Sequence, residues 1–146
     1  MIVYRIAKAA FCDLSGEGAR LYGGRWNSPG RPMVYTASAP SLALLELLVH
    51  LDLEMALLPD DYRLLAIDVP EASSIESLSE TPPNMLACAV LGDDFLGRRT
   101  ALALNVPSVI VPQERNLLIN PAHPEASAVR VLSNEAFPID PRLAAR

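Results

Sequence analysis

The parcelling of apolar residues into short runs is what most restricts the fold of this chain. Five runs rich in β-branched and aromatic residues, "IVYRIA", "PMVYTA", "YRLLAIDVP", "VPSVIVP" and "AVRVLS", are set apart by proline, glycine and charged residues. Their length and composition suit strands. In the first of them, alternation puts Val3 and Arg5 on one face and Tyr4 and Ile6 on the other. Two longer segments read as helices. "SAPSLALLELLVHL" has a cap at or near Ser38 and Pro40 in its first turn, and "DDFLGRRTALALN" opens on an acidic turn that suits the helix dipole. "QERNLLINPAHPEAS" reads as a loop, because Asn-Pro and His-Pro are turn signals, and Glu71 to Asn84 as a loop or short helix. Strands and helices do not alternate in a regular βαβ rhythm, which predicts an α+β fold: a mixed sheet core with flanking helices.

At 146 residues the chain fits a single compact domain, 1–146, able to bury roughly two thirds of its unfolded surface. A net charge of -5 and a single lysine, Lys8, exclude a general binder of nucleic-acid backbone, so direct DNA binding is not expected. The two cysteines, Cys12 and Cys88, have neither metal nor redox spacing and read as buried thiols of a reducing compartment. No secretion signal is evident in "MIVYRIAKAAF". The most apolar segment, Ser41 to Leu58, is interrupted by Glu46, His50, Asp52 and Glu54 and cannot comfortably span a bilayer. A cytoplasmic protein without membrane contact is expected.

Three places could carry chemistry. "LYGGRWNSPG" surrounds Arg25 and the only tryptophan with glycine, proline and asparagine, and turn chemistry alone does not ask for Arg-Trp at its centre. The same stretch can be purely structural, with Trp26 plugging a core edge and Asn27 making an Asx-turn. Glu46 lies in "LALLELLVH", on a helix that reads as buried most of the way round, where a carboxylate needs compensation. Otherwise it occupies a solvated stripe and pairs with His50. Ser108 inside "VPSVIVP" is a lone hydroxyl, ordinarily a filler bonded to backbone, with no G-x-S-x-G elbow around it. His50 and His123 lack a metal-ligand spacing, so no metal is expected, and "GEGARLYGG" is neither a dinucleotide fingerprint nor a Walker loop.

Taken together, "YRIAK", "GGRWNSPGRPMVYTA", "LALLELLVHL", "GDDFL" and "VPSVIVPQERNLLINPAHP" resemble the RES-domain family, in consistent order from about Tyr4 to His123. The family's recurrent Arg, Glu and Ser fall at Arg25, Glu46 and Ser108. One departure is Phe95, where many relatives carry tryptophan; an aromatic in its place keeps the packing.

The resemblance implies an ADP-ribosyltransferase-like fold and a toxin of a bacterial toxin–antitoxin pair that cleaves the nicotinamide–ribose bond of NAD. NAD is then a substrate and not a bound cofactor, and the acceptor is water, inorganic phosphate as co-substrate, or a protein side chain. The implied catalytic residues are Glu46, Arg25, Tyr35 and Ser108, and the implied NAD-binding residues Arg5, Trp26, Asn116 and Asn120. Arginines suit a pyrophosphate, because a guanidinium offers two parallel donors and does not deprotonate. A desolvated Glu46 suits an oxocarbenium-like ribose. The implied partner is an Xre-type helix-turn-helix antitoxin in a hetero-oligomer with antitoxin dimers, and leucines around Leu51 to Leu58 are candidates for an interface. The competing class is a non-catalytic binding module in which Arg25 and Glu46 form a buried salt bridge.

Overall fold

A computed structural model describes residues 1–50 and 60–143. Seven strands form one mixed sheet: β1 (Ile2–Lys8), β2 (Val34–Ala37), β3 (Tyr62–Asp68), β4 (Ile75–Ser77), β5 (Ala103–Pro107), β6 (Arg115–Ile119) and β7 (Arg130–Ala136), in the order β4-β5-β6-β2-β1-β3-β7. Only β4 and β5 run parallel; the other neighbours are antiparallel. The helices are α1 (Glu17–Tyr22), α2 (Pro40–His50) and α3 (Met85–Arg98). This is the α+β architecture expected from the irregular order of runs.

The sheet is barely joined in the middle. β1 pairs with β3 along its whole length, from Ile2↔Asp68 to Lys8↔Tyr62, and β2 pairs with β6 at all four of its residues. Between β1 and β2 the register holds one pair, Tyr4↔Ala37. Two half-sheets are therefore joined at that point, and backbone groups along the gap in pairing need other partners.

Buried apolar residues fall into three groups among the described residues. Val3, Val34, Leu65, Ile67, Leu117 and Ile119 pack on one face of the sheet. On the other, Phe95, Leu96 and Cys88 of α3 cover Leu104, Val106 and Leu118, while Leu42 and Ala43 of α2 cover Ile6, Ala37 and Tyr62. Between these two helices the sheet face is left open.

Several elements differ from the sequence expectation. α3 begins at Met85, because the Asn84 side chain accepts a hydrogen bond from Ala87 N at 2.9 Å and caps it; "GDD" lies inside the helix, not at its start. The segment after Arg98 is not helical: Arg99 takes a left-handed φ of 54° and β5 follows. β6 falls in the stretch read as a loop, and β4 in the one read as a loop or short helix. "VPSVIVP" is strand only to Pro107, since Ser108 Oγ accepts from the backbone N–H groups of Ile110 and Val111 and turns the chain. α2 buries only one stripe, leaving Leu45 at 43% and Val49 at 64% exposure. Cys88 is buried but Cys12 is partly exposed. Leu51 to Leu58 lie outside the described residues, within which no helix is long and apolar enough to cross a membrane.

Candidate active site

The turn bearing Arg25 is built to be rigid. Gly23, at φ 72°, ends α1 in a conformation that side chains rarely adopt, and a backbone bridge joins Gly24 to Asn27. A Cβ on Gly24 would lie 2.6 Å from Tyr35 Oη, so only glycine lets the phenol in. That phenol accepts a hydrogen bond from Trp26 N at 3.0 Å and donates one to Asn27 Oδ1 at 2.6 Å. Burial pushes the Tyr35 pKa well above its ordinary range, so the hydroxyl remains a donor. Asn27 Nδ2 lies 2.9 Å from the carbonyl oxygens of both Ala19 and Arg31 and 3.2 Å from that of Ser28, tying α1 to both arms of the turn. Trp26, 3% exposed, packs with Met33, Cys88 and Phe95.

α3 supports the same turn from behind. A Cβ at Gly92 would sit 1.7 Å from the Trp26 carbonyl oxygen, so helix and turn meet backbone to backbone. Gly92→Ala is expected to destabilise the fold by about 3 kcal/mol or more, because the obstructing atom is main chain and cannot step aside. Thermal unfolding checks this, with a fall in midpoint of about 10 °C expected at this size.

Glu46 is held by long-range contacts. Its Oε1 accepts from Ser108 Oγ at 2.8 Å and from Asn116 Nδ2 at 2.7 Å. Ser108 is 1% exposed, and its hydroxyl is fixed in turn by the N–H groups of Ile110 and Val111. The lone hydroxyl of the apolar run is thus an anchor for the carboxylate. Each hydrogen bond to a charged acceptor contributes about 1.5–3 kcal/mol, sufficient to fix one rotamer of a half-buried side chain. His50 is not among the partners of Glu46, and no Arg25–Glu46 salt bridge occurs among the described residues.

Arg5 reaches into the gap between the half-sheets. Its Nη1 donates to the Tyr35 carbonyl at 3.2 Å, taking the place of a strand partner, while Nε is buried with no acceptor. Burial lowers its pKa, but a guanidinium stays charged at neutral pH even so. No carboxylate within ion-pair distance balances it among the described residues.

These elements enclose a cavity of about 500 Å³, floored by β1, β2 and β6 and flanked by α2 and by α1 with the Arg25 turn. Among the described residues, Arg5, Lys8 and Arg25 bring three cations to it, against one lining carboxylate, Glu46. Tyr4, Phe11, Tyr22 and Tyr62 add aromatic wall, Tyr22 being 77% exposed. In a chain of net charge -5 this hollow has the opposite sign, which favours an anionic ligand with flat rings. No group of three or more His, Cys, Asp or Glu side chains is placed to hold a metal ion among the described residues.

The sequence model of the RES domain matches residues 2–140, and the chain is 42% identical over 147 residues to "Toxin Res" of Pseudomonas putida, covering 98% of this chain and 99% of that one. The chain belongs to the RES-domain family. It is also 42% identical over 142 residues to the "Prs ADP-ribosylating toxin" of a Sphingobium species, covering 90% of this chain and 86% of that protein. A solved structure, the M. tuberculosis MbcT–MbcA toxin–antitoxin complex, superposes with a TM-score of 0.73 over 97% of this chain and 85% of that chain, at 22% identity. The fold is thus shared with a solved toxin.

Within this RES domain, the residues singled out from the sequence sort into three positions. Arg5, Arg25, Trp26, Tyr35, Glu46 and Asn116 line the cavity together. Ser108 stands behind Glu46 and reaches the cavity only through it. Asn120 corrects the expectation of an NAD contact: it is 1% exposed, donates to the Leu96 carbonyl and accepts from Ala122 N, tying the chain after β6 to α3. Asn27 makes no Asx-turn but cross-links the Arg25 turn. Lys8, Tyr22 and Asp93 were not singled out; "GDDFL" was the available signal for Asp93, since a glycine inside a helix next to two acids marks a close approach.

Proposed function

We propose that this RES-domain toxin cleaves the nicotinamide–ribose bond of NAD and acts by depleting NAD. The observation that carries the reading is Arg5, a buried guanidinium with no carboxylate within ion-pair distance among the described residues, at the floor of a cavity whose described lining includes the carboxylate Glu46. A buried charge without a partner is costly, and an anionic ligand supplies the partner. With Arg25 also lining the cavity, the two guanidinium groups suit the pyrophosphate of NAD, and on this reading the nicotinamide riboside faces Glu46.

The leaving group is a pyridinium and needs no acid. Its C1′–N bond breaks with the electron pair passing to nicotinamide, and positive charge grows on the ribose. Glu46, fixed by Ser108 and Asn116, stabilises that charge at a place set before the reaction begins. An acceptor oxygen then bonds to C1′ and loses a proton to solvent. Water yields ADP-ribose; phosphate yields its phosphate ester.

A second reading keeps the bond cleavage and changes the acceptor to a protein side chain. It is favoured by the relative named as an ADP-ribosylating toxin. A protein antitoxin of the Xre type is the proposed partner, in keeping with the toxin–antitoxin complex of the structural neighbour.

The test is incubation of the purified, antitoxin-free chain with NAD, with and without inorganic phosphate, following nicotinamide and the ribose product by chromatography. Nicotinamide release, with a product that changes when phosphate is added, is the result expected of phosphorolysis; ADP-ribose under both conditions indicates hydrolysis. A folded wild type that releases no nicotinamide overturns NAD depletion and leaves transfer to protein, assayed with labelled NAD and cell extract.

A further inference from the structure

We propose that Asp93, which lies on α3 and lines no part of the cavity, is a positioning residue for NAD, acting through Ser28 on Arg25. The inference rests on reading Arg25 as a pyrophosphate ligand. Asp93 Oδ1 accepts from Ser28 N at 2.9 Å and Asp93 Oδ2 from Ser28 Oγ at 2.6 Å, across 65 residues of sequence. Both oxygens of one half-buried carboxylate are thus devoted to a residue three positions beyond Arg25. The preceding residue, Gly92, lies against the Trp26 carbonyl, so two adjacent α3 positions fix residues on the same arm of the turn.

On the opposite side the turn is held by neutral groups, Tyr35 Oη and the Asn27 amide. Asp93 supplies the charged contact, and hydrogen bonds to an ionised acceptor are about twice as strong as neutral ones. The Arg25 guanidinium has no partner of its own among the described residues, so its reach into the cavity depends on where the turn is held. A small displacement of such a group costs binding steeply. Asp93 therefore links the packing of α3 to the cation at the cavity rim.

The experiment is a mutant cycle with a second readout that does not involve NAD. KM and kcat for nicotinamide release are measured for Asp93→Ala and Asp93→Asn, each alone and with Arg25→Ala, and backbone amide exchange is followed at Trp26 and Ser28. Asp93→Ala is expected to raise KM about tenfold where Arg25 is present and less than about twofold where it is absent, since coupled residues are not additive. The isosteric Asp93→Asn restores part of the loss. Exchange at Trp26 and Ser28 accelerates, while that of α2 does not. Equal losses in both backgrounds, or unchanged exchange at the turn, overturn the proposal. Where Asp93→Ala fails to fold, Ser28→Ala, which removes one of the two donors, takes its place. If the wild type releases no nicotinamide, it is the NAD reading that falls, and exchange at the turn alone decides whether Asp93 positions it.

Discussion

Glu46→Gln leaves a folded protein that releases nicotinamide about 10²–10³-fold more slowly than the wild type, the range seen when one preorganised electrostatic group is removed from an active site. The substitution is nearly isosteric, and the amide oxygen can still accept from Ser108 Oγ and Asn116 Nδ2, so the anchor survives while the charge is lost. The loss is expected in kcat, with KM for NAD little altered, because the carboxylate is needed most where charge develops on the ribose. Product analysis by chromatography, alongside a thermal melt, checks both halves of the statement. Retained turnover would remove Glu46 from the chemistry. A collapse of stability with no change in turnover per folded molecule would mean that Glu46 serves the fold and not the reaction.

Arg5→Met is expected to separate stability from function. The wild-type guanidinium is buried with an unpartnered Nε and one bond to the Tyr35 carbonyl, a poor exchange for lost hydration. An apolar side chain of similar length fills the gap between the half-sheets without that cost, and replacing buried charge by hydrophobic groups is often neutral or stabilising. The melting midpoint is therefore expected to hold or to rise by a few degrees, on the scale of about 2–4 °C per kcal/mol for a chain of this size. Affinity for NAD is expected to fall about 100-fold, the equivalent of losing charge-assisted hydrogen bonds to a phosphate oxygen. Calorimetric titration with ADP-ribose, which carries the pyrophosphate without the scissile bond, tests the second half directly. A destabilised variant with unaltered ADP-ribose affinity would mean that Arg5 serves the sheet and not the ligand.

Much of this architecture is local in origin and therefore visible in the sequence. β1, β2, β3, α2 and β7 announce themselves through alternation, β-branched residues and a proline in the first helical turn. β6 did not, because "RNLLI" is short, opens on polar residues and sits beside strong turn dipeptides; its strand character comes from its place between β5 and β2. The start of α3 was misjudged because two acidic residues imitate a first turn, whereas Asn84 supplies the cap. For the site, Arg25 stood out because glycines and an asparagine surround it, and Arg5 because it shares a strand face with valine. The grip of Ser108 and Asn116 on Glu46 joins residues 62 and 70 positions apart, and no local pattern encodes that. Asn120 misled for the complementary reason: a polar residue in a motif-like stretch can satisfy the fold alone.

The distance in sequence between Glu46 and its two anchors also fixes the order in which the cavity is assembled during synthesis. A chain emerging from the ribosome exposes its N-terminal elements first, so the helix bearing the carboxylate is made well before Ser108 and Asn116 can aim it. β6, which carries Asn116 and forms part of the cavity floor, is later still than β5. A nascent or truncated chain ending before these residues holds the carboxylate but not its mount. Completion of this mount is thus deferred until most of the polypeptide has been synthesised.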